Sequence, residues 1–374
     1  MSRTKKRRDA KANLEKKKLL APEELKRLKE KKKERIIIGI VLTILIVISV
    51  VIISFNVVRA VGKSNLKKAV EISEPVLESK EVVTEEEKEF WNPNWIKYNG
   101  KAYEYNDNLL TFLIMGTDKR TSVKEPSKVT EAGQADALFL VILDGDKEEI
   151  KIVSINRNTM ADVDIYNNEG AYVDTIKTQI CLQYAYGNGL EESCERQLEA
   201  VSRLMYGIPI NGYAAINMSA ISDINDAVGG VDVIALETID KFIEGQEYHL
   251  DGDDAYLYIR DRNTDEFASA DRRLARQKQY ISGFIGKSKE VLKNKPESAL
   301  ELYNSIISQM VTDITTDEVA YLATESGKYS FAADYINSLQ GETIRGDEGF
   351  EEFYYDDEYL YDLIIDIFYK EAIN

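Results

Sequence analysis

Short, continuous apolar runs alternate along this chain with stretches of helical periodicity. LLTFLIMG at 109–116 is apolar throughout and ends on glycine, the pattern of a strand buried on both faces. DALFLVILD at 136–144 and EIKIVSIN at 149–156 repeat it across a turn at Asp144, Gly145 and Asp146. WIKYNGKAYEYN at 95–106 alternates around Asn99-Gly100, which predicts a two-residue hairpin. CERQLEAVSRLMYG at 194–207 predicts an amphipathic helix stopped by Gly207 and Pro209. GYAAIN at 212–217 and VDVIALE at 231–237 predict strands around the helix SAISDINDAV, which ends at Gly229-Gly230. AYLYIR at 255–260 reads as a strand or a helix, and 296–374 reads as helical. Strands alternating with helices predict an α/β fold, a sandwich around a mainly buried sheet.

One apolar stretch has a different length. IIIGIVLTILIVISVVIISFNVV at 36–58 carries no charged residue and is long enough to span a bilayer as a helix, which takes roughly 20 residues. It exceeds the apolar core of a cleaved signal peptide, and Arg59 follows without a small-residue cleavage site. Residues 1–35 hold sixteen Lys and Arg against six Asp and Glu, so this flank is expected in the cytoplasm. The overall net charge of −17 therefore conceals an exported part that is strongly acidic. The expected order is a basic tail (1–35), a transmembrane signal anchor (36–58), a stalk with a hairpin (59–106), a catalytic α/β domain (107–290) and an acidic helical part packed on it (291–374). A basic run beside a membrane helix sets topology and touches anionic lipid, and an acidic exported domain repels nucleic acid, so no nucleic-acid partner is expected.

Within that acidic part, 258–277 gathers Arg260, Arg262, Arg272, Arg273 and Arg276. The last three fall at a predicted helix start, with Ser269 and Asp271 as candidate N-caps. Cations at a helix N-terminus oppose its dipole unless an anion is brought in, and guanidinium forks with free backbone N–H groups suit phosphate. The alternative is a solvated helix face paired with Asp261, Asp265 and Glu266. Other charges cluster past predicted strand ends, where α/β folds place ligands. Asp118 and Arg120 follow the first strand, Asp136 opens the second and Arg157 follows the third. Carboxylates and arginines converging there fit a divalent metal holding a diphosphate. With His249 as its one histidine and no phosphate-binding glycine loop, the chain excludes histidine triads, multi-histidine zinc sites and P-loop chemistry. Cys181 and Cys194, both on the expected outer side, are expected to pair; the alternative is two buried free thiols.

GTDKR, Asp136 before an apolar strand, SINRNTM, KTQICLQYAYGNG, INDAVGGVDV and AYLYIRDRNTD…DRRLARQ occur in the order seen in the LytR–CpsA–Psr proteins of Gram-positive cell envelopes, which this chain resembles from about 109 to 286. KTQICLQYAYGNG and the SCE segment look most like clostridial members. The resemblance implies an αβα sandwich around a mixed central sheet, with an apolar cleft for a lipid tail. It implies a phosphotransferase that moves a glycopolymer, such as teichoic acid, from a polyprenyl diphosphate carrier to peptidoglycan. Asp118 and Asp136 would hold Mg²⁺, and either could take the acceptor proton. Arg120, Arg157, Arg260, Arg262 and Arg273 with Gln277 would grip the diphosphate, and Arg276 lies beside them. The chain departs from the family where Asn158 replaces an aspartate after Arg157, where Ala161 stands at a position that is arginine in some members, and where Ala270 precedes Asp271. Asn158 removes a charge that could bind metal or orient Arg157, and so favours a second reading, a non-catalytic protein that binds lipid-linked precursors or wall polymer.

Overall fold

The computed structural model describes residues 58, 60–66, 75–117, 132–263, 266–295 and 297–372. All of these except Val58 belong to one compact unit, Arg59–Asn374. The expected anchor at 36–58 lies outside the described residues but for Val58; among the described residues no helix is long and apolar enough to cross a membrane.

In chain order the strands are β1 (Ile96–Tyr98), β2 (Lys101–Tyr105), β3 (Leu109–Thr117), β4 (Ala135–Asp144), β5 (Glu149–Ile155), β6 (Met160–Tyr166), β7 (Tyr172–Gln179), β8 (Gly212–Asn217), β9 (Val231–Ile234), β10 (Glu247–Leu250), β11 (Met310–Thr312), β12 (Ile336–Ser338), β13 (Gly341–Arg345), β14 (Glu351–Tyr355) and β15 (Tyr369–Glu371). The helices are α1 (Glu85–Lys88), α2 (Glu191–Leu204), α3 (Ile221–Ala227), α4 (Gly252–Arg260), α5 (Ser269–Asn294), α6 (Ser298–Ile306), α7 (Thr316–Glu325) and α8 (Asp357–Phe368). Six strands form the central sheet in the order β11-β8-β3-β4-β5-β12. β3 runs parallel to β8 and antiparallel to β4, and β12 runs parallel to β5, so the sheet is mixed.

Register explains why the three long apolar runs became its centre. Val311, Ala215, Met115, Leu138 and Ile155 form one row across five strands, and all five are buried. This face packs on α2 through Ala200, Val201 and Leu204 and on α8 through Leu360, Ile364 and Phe368. The opposite face, with Ala137, Phe139 and Ile152, meets Leu274, Ile281 and Ile285 of α5. Helices on both faces leave no solvated side, so these strands need apolar residues at every position rather than at alternate ones. Each buried leucine-sized side chain contributes about 1.5–3 kcal/mol.

The hairpin at 95–106 forms as expected: Asn99 and Gly100 both take positive φ (49° and 70°), which a tight two-residue turn requires. AYLYIR is helical, as part of α4, capped by the Asp251 side chain. The segment 291–374, expected to be helical, is mixed. It supplies two strands of the central sheet (β11, β12), the separate hairpin β13–β14, and β15, which pairs with β2. The expected boundary at 290 falls inside α5. These strands are only three residues long in the sheet, too short to show a period in sequence.

Candidate active site

Asp136 stands in β4 where the pairing with β3 slips. Gly116 faces Ala137 and Thr117 faces Ala135, which leaves Asp136 as the extra residue of a β-bulge. A bulge re-aims the side chain it displaces, and bulges recur beside active sites for that reason. Arg157 follows β5 and bonds through Nη1 to Asp136 Oδ1 and through Nη2 to Gln134 Oε1. Its Nη2 also donates to Cys181 Sγ at 3.3 Å. Its buried Nε–H has no partner among the described residues. A buried, unpartnered guanidinium donor is costly in a folded protein and favours an incoming acceptor.

Arg273, in the second turn of α5, is 5% exposed and donates through Nη2 to the Asp136 carbonyl at 3.2 Å. Burial pushes it down to about 10; Asp136 opposes this, while Arg157, Arg262 and Arg276 add to it. That pattern is an excess of buried positive charge with one carboxylate nearby. Arg262 is close enough to Arg273 for its charge to act on it. Arg260 lies 5.5 Å over the Tyr256 ring and bonds Asp261 at 3.2 Å. Asp118 and Arg120 fall in 118–131, outside the described residues, so the second expected metal ligand has no described position. No group of three or more metal-ligating side chains occurs among the described residues.

Several expected roles are corrected. Arg276 is fully buried and faces inward: it pairs with Glu237 at 2.8 Å and bonds the carbonyls of Tyr258 and Asp261. Gln277 donates to the Ile259 carbonyl at 3.1 Å. Both pin α4 and the 261 turn onto α5, since positions 276 and 277 follow Arg273 by three and four residues on one helix face and meet those carbonyls there. Neither Ser269 nor Asp271 is the N-cap; Ala268 precedes α5 in the left-handed region (φ 58°), and Asp271 lies in the first turn. Cys181 and Cys194 are both free. The Cys181 thiol is held against Arg157, and Cys194 sits in α2 against Tyr184, so each is buried with its own partner. Burial pushes Cys194 up to about 12 and raises Cys181 also, so both stay protonated.

Asn158 is buried and turned toward the C-terminal hairpin. Its Nδ2 donates to Glu351 Oε2 at 3.3 Å, and its Oδ1 accepts from Gln179 Nε2 at 3.4 Å. Its backbone carbonyl accepts from Phe353 N at 2.9 Å. Beside it, Asn156 bonds Asp271 Oδ1, and Thr343 Oγ1 donates to Asp271 Oδ2 at 2.8 Å. Gln134, Glu237 and Glu351 were not singled out by sequence, and Cys181 only as a disulfide partner. Gln134 alone carried a signal, two residues before Asp136 at a strand start.

An apolar cleft of about 670 Å³ opens on the α5 face, lined by Ala214, Phe284, Val291, Leu302, Ile306 and Met310. Arg273 and Phe284 are eleven residues apart on α5, roughly 16 Å of helix. One helix thus joins a cationic head site to a greasy cleft.

A bulged carboxylate, the buried Arg273 and the largely buried Arg157 share an αβα sandwich with an apolar cleft farther along α5. The LytR_cpsA_psr family matches residues 66–360, and the chain belongs to that family. It is 27% identical over 235 residues to a Bacillus cereus protein named polyisoprenyl-teichoic acid–peptidoglycan teichoic acid transferase TagU, an alignment taking in 62% of this chain and 66% of that protein. It is 27% identical over 270 residues to the Corynebacterium glutamicum cell wall biosynthesis protein LcpA, covering 63% of this chain and 51% of the other. The chain thus spans less than two thirds of these curated relatives. Among solved structures it resembles B. subtilis TagV (TM-score 0.54, 21% identity, 69% of this chain and 96% of the other) and TagT bound to LI-WTA (0.51, 19%, 70% and 89%), which establishes the fold.

Proposed function

We propose that this protein is a phosphotransferase that moves a cell-wall glycopolymer from a polyprenyl diphosphate carrier to a hydroxyl of peptidoglycan. It works at the outer face of the membrane, held by the 36–58 anchor with 1–35 in the cytoplasm. The observation that carries this reading is the Asp136–Arg157–Arg273 cluster, whose Arg157 Nε–H lacks a partner, at the head of a helix that also lines the apolar cleft. The names of the TagU and LcpA relatives agree with it.

In this reading the diphosphate enters between Arg157, Arg262 and Arg273, with Arg260 at its edge, and the polyprenyl chain lies along α5 in the cleft; Arg120, outside the described residues, is expected to add to the grip. Phosphoryl transfer asks the protein for positioning and charge stabilisation above all, and planar guanidinium forks supply both. The buried cation excess fits the diphosphate anion; the carboxylates of Asp136 and Asp118 are the residues that would hold Mg²⁺, which when bound would neutralise diphosphate oxygens. Gln134 and Cys181 fix the Arg157 fork in place. The acceptor hydroxyl loses its proton to Asp136 or Asp118. Asn158 takes no part in this cluster, because its amide is committed to Glu351 and Gln179. The substitution therefore no longer favours a purely binding role.

The test uses the full chain in nanodiscs with a polyprenyl diphosphate oligosaccharide, peptidoglycan fragments and Mg²⁺. Mass spectrometry should find polyprenyl phosphate and sugar-phosphate-linked peptidoglycan. Arg157→Ala should lose both by at least about 100-fold. Tight donor binding with neither product, across several donors, would instead mark a scaffold.

A further inference from the structure

A second concavity borders α5 on the face of Asp271, Leu274 and Lys278. It has a volume of about 380 Å³ and lies between α5 and the C-terminal segment, with Ser154, Asn156, Asp271, Lys278, Ser338 and Phe353 in its wall. Two hydrogen-bonded chains border it. On one side Lys278 Nζ donates to Ser338 Oγ at 2.7 Å, and Ser338 Oγ lies 2.7 Å from Ser154 Oγ. On the other, Asn156 and Thr343 both donate to Asp271. Asp271 and Lys278 are seven residues apart on one face of α5, roughly 10 Å along the helix.

Lys278 is the informative residue. It is half-buried, its bonded partner is a neutral hydroxyl, and no carboxylate pairs with it among the described residues. Burial pushes its ammonium down with no neighbouring charge opposing this. A desolvated cation without a counter-charge, at one end of a polar groove, is completed by an anion from a ligand. The rest of the wall offers two hydroxyls, a carboxylate and an amide, with Phe353 and Leu339 as an apolar face. The groove is tied to the reacting centre through the loop after β5, where Asn156, in its wall, directly precedes Arg157; Asp271 and Arg273 project from different faces of α5.

We propose that this groove is the acceptor subsite, taking a muropeptide unit of peptidoglycan, with a stem-peptide carboxylate on Lys278 and sugar hydroxyls on Asp271, Asn156 and Ser338. The proposal rests on the transferase reading, and it gives the C-terminal hairpin a purpose, since Phe353 lines the wall and Thr343 holds Asp271 in place there. Lys278 and Asp271 are binding residues here and take no part in the chemistry.

The experiment measures binding of a soluble muropeptide to the full chain in nanodiscs by ligand-observed NMR, without donor. Lys278→Gln should weaken binding about tenfold, as should methyl esterification of the muropeptide carboxylates, and Lys278→Arg should retain most of it. Arg157→Ala should leave muropeptide binding unchanged while abolishing turnover, so failure of the transferase reading and failure of the groove are read separately. In turnover, Lys278→Gln should raise KM for the acceptor and leave KM for the donor alone. Equal muropeptide affinity of wild type and Lys278→Gln, with the thermal midpoint of the variant unchanged, overturns the proposal. So does tighter Lys278-dependent binding of glycerol phosphate than of muropeptide, which would assign the groove to the donor polymer.

Discussion

The Nδ2 of Asn158 and the Oε2 of Glu351 lie 3.3 Å apart, joining the loop after β5 to the C-terminal hairpin. An aspartate at 158, which the family pattern favours, would place two carboxylates at that distance in a largely buried setting. The chain keeps an amide where its own hairpin brings a charge.

Asn158→Asp is therefore expected to destabilise the protein by about 1–3 kcal/mol at neutral pH, through like-charge repulsion and a lost hydrogen bond. Glu351→Gln in the same chain should recover most of the loss. Urea unfolding of the two singles and the double reads this as a coupling energy; additive effects would show that the pair does not interact.

Arg276 and Arg262 sit in the same block yet should behave oppositely. Arg276→Ala removes a fully buried cation paired with Glu237, and should cost about 3–5 kcal/mol of stability. Arg262→Ala should leave the melting temperature unchanged and raise KM for the lipid donor. Thermal denaturation beside steady-state kinetics separates them, and a stable but inactive Arg276 variant would restore that residue to the site.

Asp271 titrates abnormally. Burial raises its carboxyl above the usual range, with Glu351 adding and the Thr343 and Asn156 hydrogen bonds opposing. Its folded form holds a proton more tightly than its unfolded form, so this group favours folding at low pH. That contribution is lost as pH rises through the raised folded value. Asp271→Asn, which can still bond Asn156 and Thr343, should thus gain stability relative to wild type at neutral pH and lose that advantage below the usual carboxylate range. Melting temperatures of the two proteins across pH 3–8 (roughly the window around the ordinary value) check this; parallel curves would contradict it.

The free thiols make a simple forecast. Reducing agent should not shift the melting temperature, since no bridge constrains the unfolded chain. Thiol reagent should label neither cysteine in the native protein and both after denaturation. A reductant-induced drop of several degrees would reinstate the disulfide.

What the sequence determined by itself follows from local physics. Unbroken apolar runs specify strands buried on both faces, so β3, β4 and β5 were legible, as was β8. Asn99-Gly100 fixes a hairpin because it tolerates positive φ. Asp136, Arg157 and Arg273 could be named because strand ends and a helix start place them predictably. What only the tertiary structure decided depends on partners distant in sequence. Arg276 turned inward because Glu237 and two carbonyls meet it there, although its sequence context matches that of Arg273. The cysteines stayed apart because packing gave each a different neighbour, which loop length cannot reveal. The bulge at Asp136 exists only in the register between β3 and β4. Glu351 reached Asn158, and Thr343 reached Asp271, through contacts spanning 193 and 72 residues. Such contacts leave no local period to read, because they are set by how the packed layers close rather than by any segment alone.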